Sequence, residues 1–327
     1  MSFFSKLVCF STLFLIFVGG LVTSTGSGLA VPDWPLSYGS LFPPMVGGVF
    51  YEHGHRMVAA TVGFFMLILT VALTRWEKRR WVRVLGWAAF GVVVLQGLLG
   101  GITVKFFLPT PVSVFHGVLA QTFFILTIII AYSQSGERLV REDEDSRVSE
   151  VLERPGYFFV GILGLTILVY VQLIIAAVMR HTHSGLAIPD FPTMGGHLIP
   201  PFNEAMLHTI NDWRFDWDLE AAQMWQVKIH FLHRLLAGMI ACCVLYLTSQ
   251  AFKYYSQDVR ILRSALMLDL LVITQIGLGI TTVLSRKAPY ITSFHVVCGA
   301  VVLGMSILSV LRASPLKFRH FRDLITK

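Results

Sequence analysis

Charged residues are scarce in this chain of 327 amino acids. Only 14% of the residues are Asp, Glu, Lys or Arg, whereas 55% are hydrophobic and the mean hydropathy is +0.68. Soluble globular domains contain about 25% charged residues, so this composition excludes an ordinary soluble protein. It indicates an integral membrane protein.

Cysteine is scarce as well. The four cysteines, Cys9, Cys242, Cys243 and Cys298, all lie within long apolar runs. No structural disulfide is therefore predicted, although an outer compartment could support one. The net charge of +7 comes from basic residues whose placement is typical of a membrane topology signal. It gives no reason to infer a nucleic-acid partner.

Apolar sequence, in contrast, is abundant. A helix crosses the bilayer core with about 20 apolar residues. Runs of this length predict eight membrane spans, at 4–25, 53–74, 84–104, 112–132, 156–179, 225–249, 264–284 and 291–311. The first run follows Lys6 and also resembles a signal peptide. We interpret it as a span because the fifth run has the same place in a second copy of the pattern.

The basic residues predict the orientation of the spans. Eighteen Lys and Arg residues lie in segments 1–6, 75–83, 133–155, 250–263 and 312–327, and five lie in the alternate segments 26–50, 105–111, 180–224 and 285–290. Basic residues favour the cytoplasmic side. We therefore predict a multi-pass protein of the cell inner (cytoplasmic) membrane with both termini in the cytoplasm.

The chain contains two related halves, because four short stretches recur in the same order. The pairs are "GSGLAVPDWP" (26–35) with "HSGLAIPDFP" (183–192), "EHGHR" (52–56) with "HFLHR" (230–234), "LQGLLGGITV" (95–104) with "TQIGLGITTV" (274–283), and "SVFHG" (113–117) with "SFHVVCG" (293–299). We predict an all-α integral membrane protein with eight transmembrane helices. They would form two duplicated four-helix bundles related by a pseudo-twofold axis along the membrane normal.

This duplication predicts four parts. An N-terminal bundle (1–132) and a C-terminal bundle (156–311) are joined by a charged cytoplasmic linker (133–155), and a basic cytoplasmic tail (312–327) follows. The outer segment 180–224 is longer than its counterpart 26–50. Its extra part mixes aromatic and charged residues, which predicts an interfacial helix with Trp213, Trp217 and Trp225 at headgroup level.

Four histidines recur in both halves: His55 with His233, and His116 with His295. All four lie just inside the outer ends of their spans, about 5–12 Å below the interface. One such histidine would most simply form an interhelical hydrogen bond, but a duplicated set at matched depth indicates a functional site. We predict that each pair ligates one heme iron. Zinc or copper fits less well, because no third or fourth ligand recurs.

Glycines near these histidines are predicted to make room for the hemes. They are the "GLLGG" and "GLG" stretches of the third helices, together with Gly117 and Gly299. Arg56 and Arg234 follow a ligand directly, and they fit either heme propionates or lipid headgroups. We expect His53 to lie at the interface, and we expect solvent exposure for His181, His183, His197, His208 and His320.

The two halves differ three positions before the second-helix ligand, where one carries Glu52 and the other His230. Residues i and i+3 share a helix face, so Glu52 would stand over the edge of the first heme. A partly buried carboxylate can act as a general base toward water. An interfacial ion pair with Arg56 is the simpler alternative.

Together these features resemble the heme A synthase family, through "SGLAVPDWP", "EHGHR", "HFLHR" and the single histidines of helices four and eight. That resemblance implies oxidation of the C8 methyl of heme O to a formyl group by successive hydroxylations. It implies that His55 and His116 bind heme O or the heme A product, that Glu52 is catalytic, and that His233 and His295 hold a resident heme b. Some bacterial members carry a cysteine pair in the first outer loop. Residues 26–50 contain none, so no thiol-linked role is expected.

The resemblance further implies heme O as substrate, which heme O synthase could deliver, and an unidentified electron acceptor. Surrounding lipid is the other expected partner, and a homo-oligomer is compatible with the sequence. Two alternatives stay open: a non-catalytic diheme b-type electron carrier, which leaves the Glu52/His230 difference unexplained, and a transporter, whose polar residues would be expected nearer the midplane.

Overall fold

The computed structural model describes residues 1–138 and 156–314. In these residues the chain forms nine α-helices and no β-strand. The helices are α1 (Ser2–Ser24), α2 (Gly48–Trp76), α3 (Arg80–Lys105), α4 (Thr110–Ser133), α5 (Gly156–His181), α6 (Glu204–Phe215), α7 (Met224–Tyr254), α8 (Val259–Leu284) and α9 (Pro289–Ala313). A 3₁₀ turn covers Ser184–Leu186. All helices except α6 are long and apolar enough to cross a membrane, which confirms the eight predicted spans.

Several helices begin earlier than the hydropathy predicts. Helix α2 starts at Gly48 rather than at residue 53, and α8 starts at Val259 rather than at 264. Polar residues at a helix end lower the local hydropathy, but the backbone hydrogen bonding continues through them. The consequence for function is that the whole "EHGHR" stretch is helical, so its side chains have fixed directions.

Each half packs as a closed ring of four helices. In the N-terminal half each of α1–α4 contacts the next and α4 contacts α1, while α5, α7, α8 and α9 form the corresponding ring in the C-terminal half. The halves meet through contacts of α1 with α9, α4 with α5, and α4 with α9. In the duplication α1 corresponds to α5, and α4 corresponds to α9. The contact of α1 with α9 therefore has its counterpart in the contact of α5 with α4, which is consistent with the predicted duplication. The axis itself stays a prediction.

The first segments after α1 and α5 fold alike. Trp34–Pro35 and Phe191–Pro192 are both cis peptides. The Asp33 carboxylate accepts the backbone N–H groups of Tyr38 and Gly39 at 2.7 and 2.8 Å. These two hydrogen bonds hold the pKa of Asp33 below its usual value, and the bond from Gly39 has the larger effect.

Asp190 makes the equivalent bonds in the C-terminal half, to the N–H groups of Gly195 and Gly196. Burial raises the pKa of Asp190, but these hydrogen bonds outweigh it and the net pKa is lowered. The shared "PD(W/F)P" sequence therefore forms the same turn twice. Each turn lies beside the outer end of the following helix.

The longer outer segment contains the predicted extra helix, α6. Asn203 caps it by accepting the Met206 N–H at 2.9 Å, as N-cap asparagines do. Its apolar residues Met206 and Ile210 pack on a small core that includes Ile188 and Val227. Parts of the predicted linker and tail, 139–155 and 315–327, lie outside the described residues, and so does His320.

Candidate functional site

The four recurring histidines lie on four different helices: His55 on α2, His116 on α4, His233 on α7 and His295 on α9. Each stands six to nine residues after the first residue of its helix, which is about 9–14 Å along the helix axis. The two members of each predicted pair are therefore at similar depth. This common depth is the first requirement for two ligands of one metal.

In the C-terminal half, the rings of His233 and His295 lie close together although they come from different helices. The ring centroids of His233 and His295 are 6.5 Å apart, and the ring planes are inclined by 73°. A metal–imidazole bond is about 2 Å long, and the ring centre lies roughly 1 Å from its nitrogen. Two imidazoles on one iron would thus have centroids about 6 Å apart, so the spacing fits one iron between the rings. His55 and His116 are also close enough to interact electrostatically.

Nδ1 of each of these four rings is buried and makes no hydrogen bond within the described residues. The rings of His116 and His295 approach the backbone of Gln96 and Gln275, but without hydrogen-bond geometry. Buried polar atoms are usually satisfied. An imidazole bound to iron through its other nitrogen carries a proton on Nδ1 that such a backbone carbonyl can accept. The residues present therefore fit bis-histidine heme ligation.

Glycines on neighbouring helices face the histidine rings. A methyl group added at Gly19 would lie 3.0 Å from Cε1 of His55, and one at Gly279 would lie 3.1 Å from Cε1 of His295. At Gly100 the corresponding distance to His116 is 3.7 Å. The third helices contribute Gly100 and Gly279 to these contacts, and α1 contributes Gly19, which lies outside the repeated motifs. That these glycines make room for hemes stays a prediction.

Gly117 and Gly299 follow the fourth-helix ligands by one and four positions, but their nearest contacts are with other residues. A methyl group at Gly117 would meet Ala177, and one at Gly299 would meet Gln275 and Leu173. They bring helices together rather than facing the ligand rings. No group of three or more His, Cys, Asp or Glu side chains suited to a metal ion occurs in residues 1–138 and 156–314.

Glu52 and Arg56 fasten the first outer turn to α2. Glu52, which is only 4% exposed, accepts the Val31 N–H at 2.8 Å through Oε2. It pairs with Arg56 through Oε1 at 2.7 Å. Arg56 also donates to the carbonyl oxygens of Val31, Asp33 and Leu36, at 3.2, 2.7 and 2.9 Å.

His230 and Arg234 occupy the same places in the C-terminal half. The Ile188 N–H donates to His230 Nδ1 at 3.1 Å, and Arg234 Nε lies 3.2 Å from His230 Nε2. Arg234 also donates to the carbonyl oxygens of Ile188, Asp190 and Thr193. A neutral imidazole accepts through one nitrogen only, whereas a carboxylate accepts through both oxygens. His230 therefore satisfies only one of these two donors at a time.

These contacts change the interpretation of both arginines. Neither propionates nor lipid headgroups are needed to explain Arg56 and Arg234, because backbone carbonyls of the outer turns engage their guanidinium groups. The ion pair of Glu52 with Arg56 is present as the simpler alternative expected. It does not exclude chemistry at Glu52, since each carboxylate oxygen has a further lone pair.

Histidines outside the pairs differ in exposure. His53 was expected at the interface, but it is only 7% exposed and bonds Ser37 Oγ through Nδ1 at 2.7 Å, because α2 packs against the first turn here. His183, His197 and His208 are exposed as expected, whereas His181 is partly buried at the end of α5. Trp213 and Trp217 are partly buried and Trp225 is exposed.

Two glutamines hold the backbone of ligand residues. Gln96 Nε2 donates to the His116 carbonyl at 2.9 Å, and Gln172 Nε2 donates to the His233 carbonyl at 2.8 Å. Both are polar residues inside apolar spans. A polar residue within an apolar span is a usable sequence signal, and only Gln96 lies within one of the repeated motifs.

The fold and the site define a multi-pass membrane protein with two pairs of neighbouring histidines. The model of the COX15-CtaA family, described as cytochrome oxidase assembly protein, matches residues 2–48 and 46–307. The chain belongs to this family.

Relatives named heme A synthase are similar over most of the chain. The protein of Bacillus licheniformis is 30% identical over 284 residues, covering 84% of this chain and 83% of the relative. The protein of Halalkalibacterium halodurans is 26% identical, and the match covers 89% of this chain and 90% of the relative. The protein of Geobacillus kaustophilus is 25% identical, and the match covers 95% of this chain and 92% of the relative.

Proposed function

We propose that this protein is a heme A synthase, an oxidoreductase of heme A biosynthesis whose substrate is heme O. Family membership and the relatives' names support this function. The observation that carries the assignment of roles is the difference between two otherwise matched sites. Glu52 in the N-terminal half has His230 in its place in the C-terminal half, with the same neighbours.

In our proposal the N-terminal half binds the substrate. His55 and His116 hold heme O through its iron, and the C8 methyl is converted to a formyl group by two hydroxylations and loss of water. Each hydroxylation takes its oxygen from water and releases two protons and two electrons. Glu52 is positioned by the Val31 N–H and Arg56, and it accepts a proton from the attacking water. General bases of this kind contribute about 10²–10⁴-fold in rate.

The C-terminal half holds a resident heme b in the same proposal. His233 and His295 bind it, and the glycine at position 279 leaves room for the His295 ring. Heme b bound there would supply one-electron transfer toward an acceptor that is not yet identified. His230 keeps the outer turn in place without adding a negative charge beside that group.

Both termini are proposed to be cytoplasmic, which places the two sites near the outer face of the cell inner membrane. We also propose that heme O synthase delivers this apolar substrate. A diheme b-type carrier remains the second candidate. It is favoured only by the matched histidine pairs and not by Glu52.

Extraction of the bound pigments tests the function. The full-length protein would be purified from a host that supplies heme O, and its hemes identified by mass spectrometry. We expect heme b together with heme O, its alcohol or heme A. Heme b alone, with unchanged heme O in the host, would contradict the synthase and favour the carrier.

A further inference from the structure

Two basic side chains lie near the outer end of the C-terminal site without an acidic partner. Arg180, on the last turn of α5, donates through Nη2 to the Gly20 carbonyl at 2.6 Å and to Ser24 Oγ at 2.9 Å, both on α1. Lys287 lies in the turn between α8 and α9, and its aliphatic chain passes Gly185. Both residues are partly buried.

The charged groups that act on Lys287 are also basic. Burial lowers the pKa of the Lys287 ammonium, and the charges of Arg180 and Arg214 lower it further. No carboxylate in residues 1–138 and 156–314 is found to interact with Arg180 or Lys287. Buried cations are normally paired with an anion, so this cluster is suited to bind one from outside the chain.

The cluster lies next to the C-terminal ligands. Arg180 interacts electrostatically with the His295 ring. Ser24, which Arg180 contacts, accepts a hydrogen bond at 3.2 Å from Ser293, two residues before that ligand on α9. Arg180 therefore lies beside the outer end of the C-terminal ligand pair, and Lys287 is close enough to Arg180 to interact with it electrostatically.

The N-terminal half has neither cation. Alignment of "GSGLAVPDWP" with "HSGLAIPDFP" places Thr23 opposite Arg180. Leu108 packs on Gly28 as Lys287 packs on Gly185, and both stand in turns of positive φ. The turns match, so the difference between Leu108 and Lys287 lies in the side chain alone.

We propose that Arg180 and Lys287 form a carboxylate site for the propionates of the heme that His233 and His295 hold. This proposal rests on the proposed function. It also explains how one heme stays while the other is exchanged. The resident heme has iron ligands and a fixed anchor for its propionates, whereas the substrate heme has iron ligands without this anchor and can leave after reaction.

Heme retention by full-length variants tests the anchor. In R180Q and K287Q we expect heme b binding to weaken about 10- to 100-fold, because each substitution removes one charge-assisted hydrogen bond. The midpoint potential of the remaining heme b should fall, since a lost positive charge favours ferric iron. R286Q is the matched control: Arg286 is the exposed neighbour that stacks on Trp217 at 4.4 Å, so its heme content and potential should not change.

A second arm separates propionates from other anions and does not depend on any variant folding. The wild-type chain, produced without heme, would be loaded with heme b or with heme b dimethyl ester, whose carboxylates are blocked. We expect the ester to bind about 10- to 100-fold more weakly, and R180Q to weaken heme b but not the ester.

Equal binding of heme b and its ester would overturn the proposal. An R180Q penalty of the same size for both hemes, relieved by added anionic phospholipid, would also overturn it and assign the cluster to a lipid phosphate. The proposed function fails by a different result, namely a purified wild-type protein that contains heme b alone while heme O in the host stays unchanged, and that result leaves the comparison of heme b with its ester valid.

Discussion

The N-terminal and C-terminal halves share the contacts that hold their outer turns and ligand helices, but they carry different side chains at a few matched positions. In both, an arginine one residue after a ligand binds the carbonyl oxygens of an outer turn, and a glycine of the third helix faces a ligand ring. The halves differ where Glu52 stands opposite His230, and where Leu108 stands opposite Lys287. The shared contacts therefore have structural roles, and the unshared side chains are where distinct functions are expected.

The largest effect is expected from removing one ligand from either pair. H295A should lose the resident heme b, because even changes in the groups that orient a metal ligand cost 10- to 100-fold in affinity. H116A should retain heme b and lose heme O binding. Heme content of the purified variants, measured by pigment extraction, checks both. A single variant that lost both hemes would show that the sites are not separate.

The second-largest effect is expected from replacing Glu52 by the histidine that stands at its place in the C-terminal half. In E52H the first outer turn should stay attached to α2, because Arg56 still donates to its carbonyl oxygens. Heme A formation should fall by about 10²–10⁴-fold, because the proposed general base is lost. Conversion of heme O in cells is the measurement.

H230E is the matched control for that exchange. It adds a carboxylate beside Arg234, where an ion pair like that of Glu52 with Arg56 can form, and heme A formation should stay near that of the wild type. If E52H retained full activity, Glu52 would be a purely structural residue and the comparison of the halves would need another explanation.

A smaller effect is expected from filling the glycine space. The G279A methyl group would be 3.1 Å from His295 Cε1, so the ring must move, whereas that of G100A would be 3.7 Å from His116, an ordinary contact. Overpacking costs about 1–3 kcal/mol. G279A should therefore lower the thermal stability of the heme-loaded protein and alter the ferric heme b electron paramagnetic resonance signal. G100A should leave both unchanged, and equal shifts would contradict the structure.

The smallest effect concerns pH at the two outer turns. The folded state lowers the pKa of Asp33 and Asp190. Their contribution is therefore present above the unfolded value of 3.8 and is lost as pH falls through the folded value. Hydrogen exchange at Tyr38 and Gly39, corrected for intrinsic rates, should become faster in acid. D33N should show fast exchange at both pH values, and an unchanged acid dependence in D33N would exclude this carboxylate as the cause.

Much of the frame was predictable because it depends on local sequence. Long apolar runs require helices in a membrane, where the backbone must satisfy its own hydrogen bonds. The repeats placed His55, His116, His233 and His295 at matched depth. Helix starts were less predictable, since α2 continues outward through polar residues to Gly48.

Contacts between distant segments were not predictable from these patterns. Arg56 was expected to bind propionates or headgroups, but it binds carbonyl oxygens 20 to 25 positions away along the chain. No short motif reports contacts over such a separation. The packing of Gly19 on His55 and the approach of Arg180 to α1 likewise join residues from different helices.

The sequence by itself determined the eight spans, the internal pairing of motifs and the resemblance to heme A synthases, because hydropathy and repeated spacing are properties of the chain alone. The tertiary structure alone decided which polar groups are already engaged. In the folded protein Arg56 and Arg234 donate hydrogen bonds to carbonyl oxygens of the outer turns. Arg180 and Lys287 have no acidic partner in the described residues. Hydrogen-bond partners depend on how helices and turns pack in space, and a linear pattern does not contain that information.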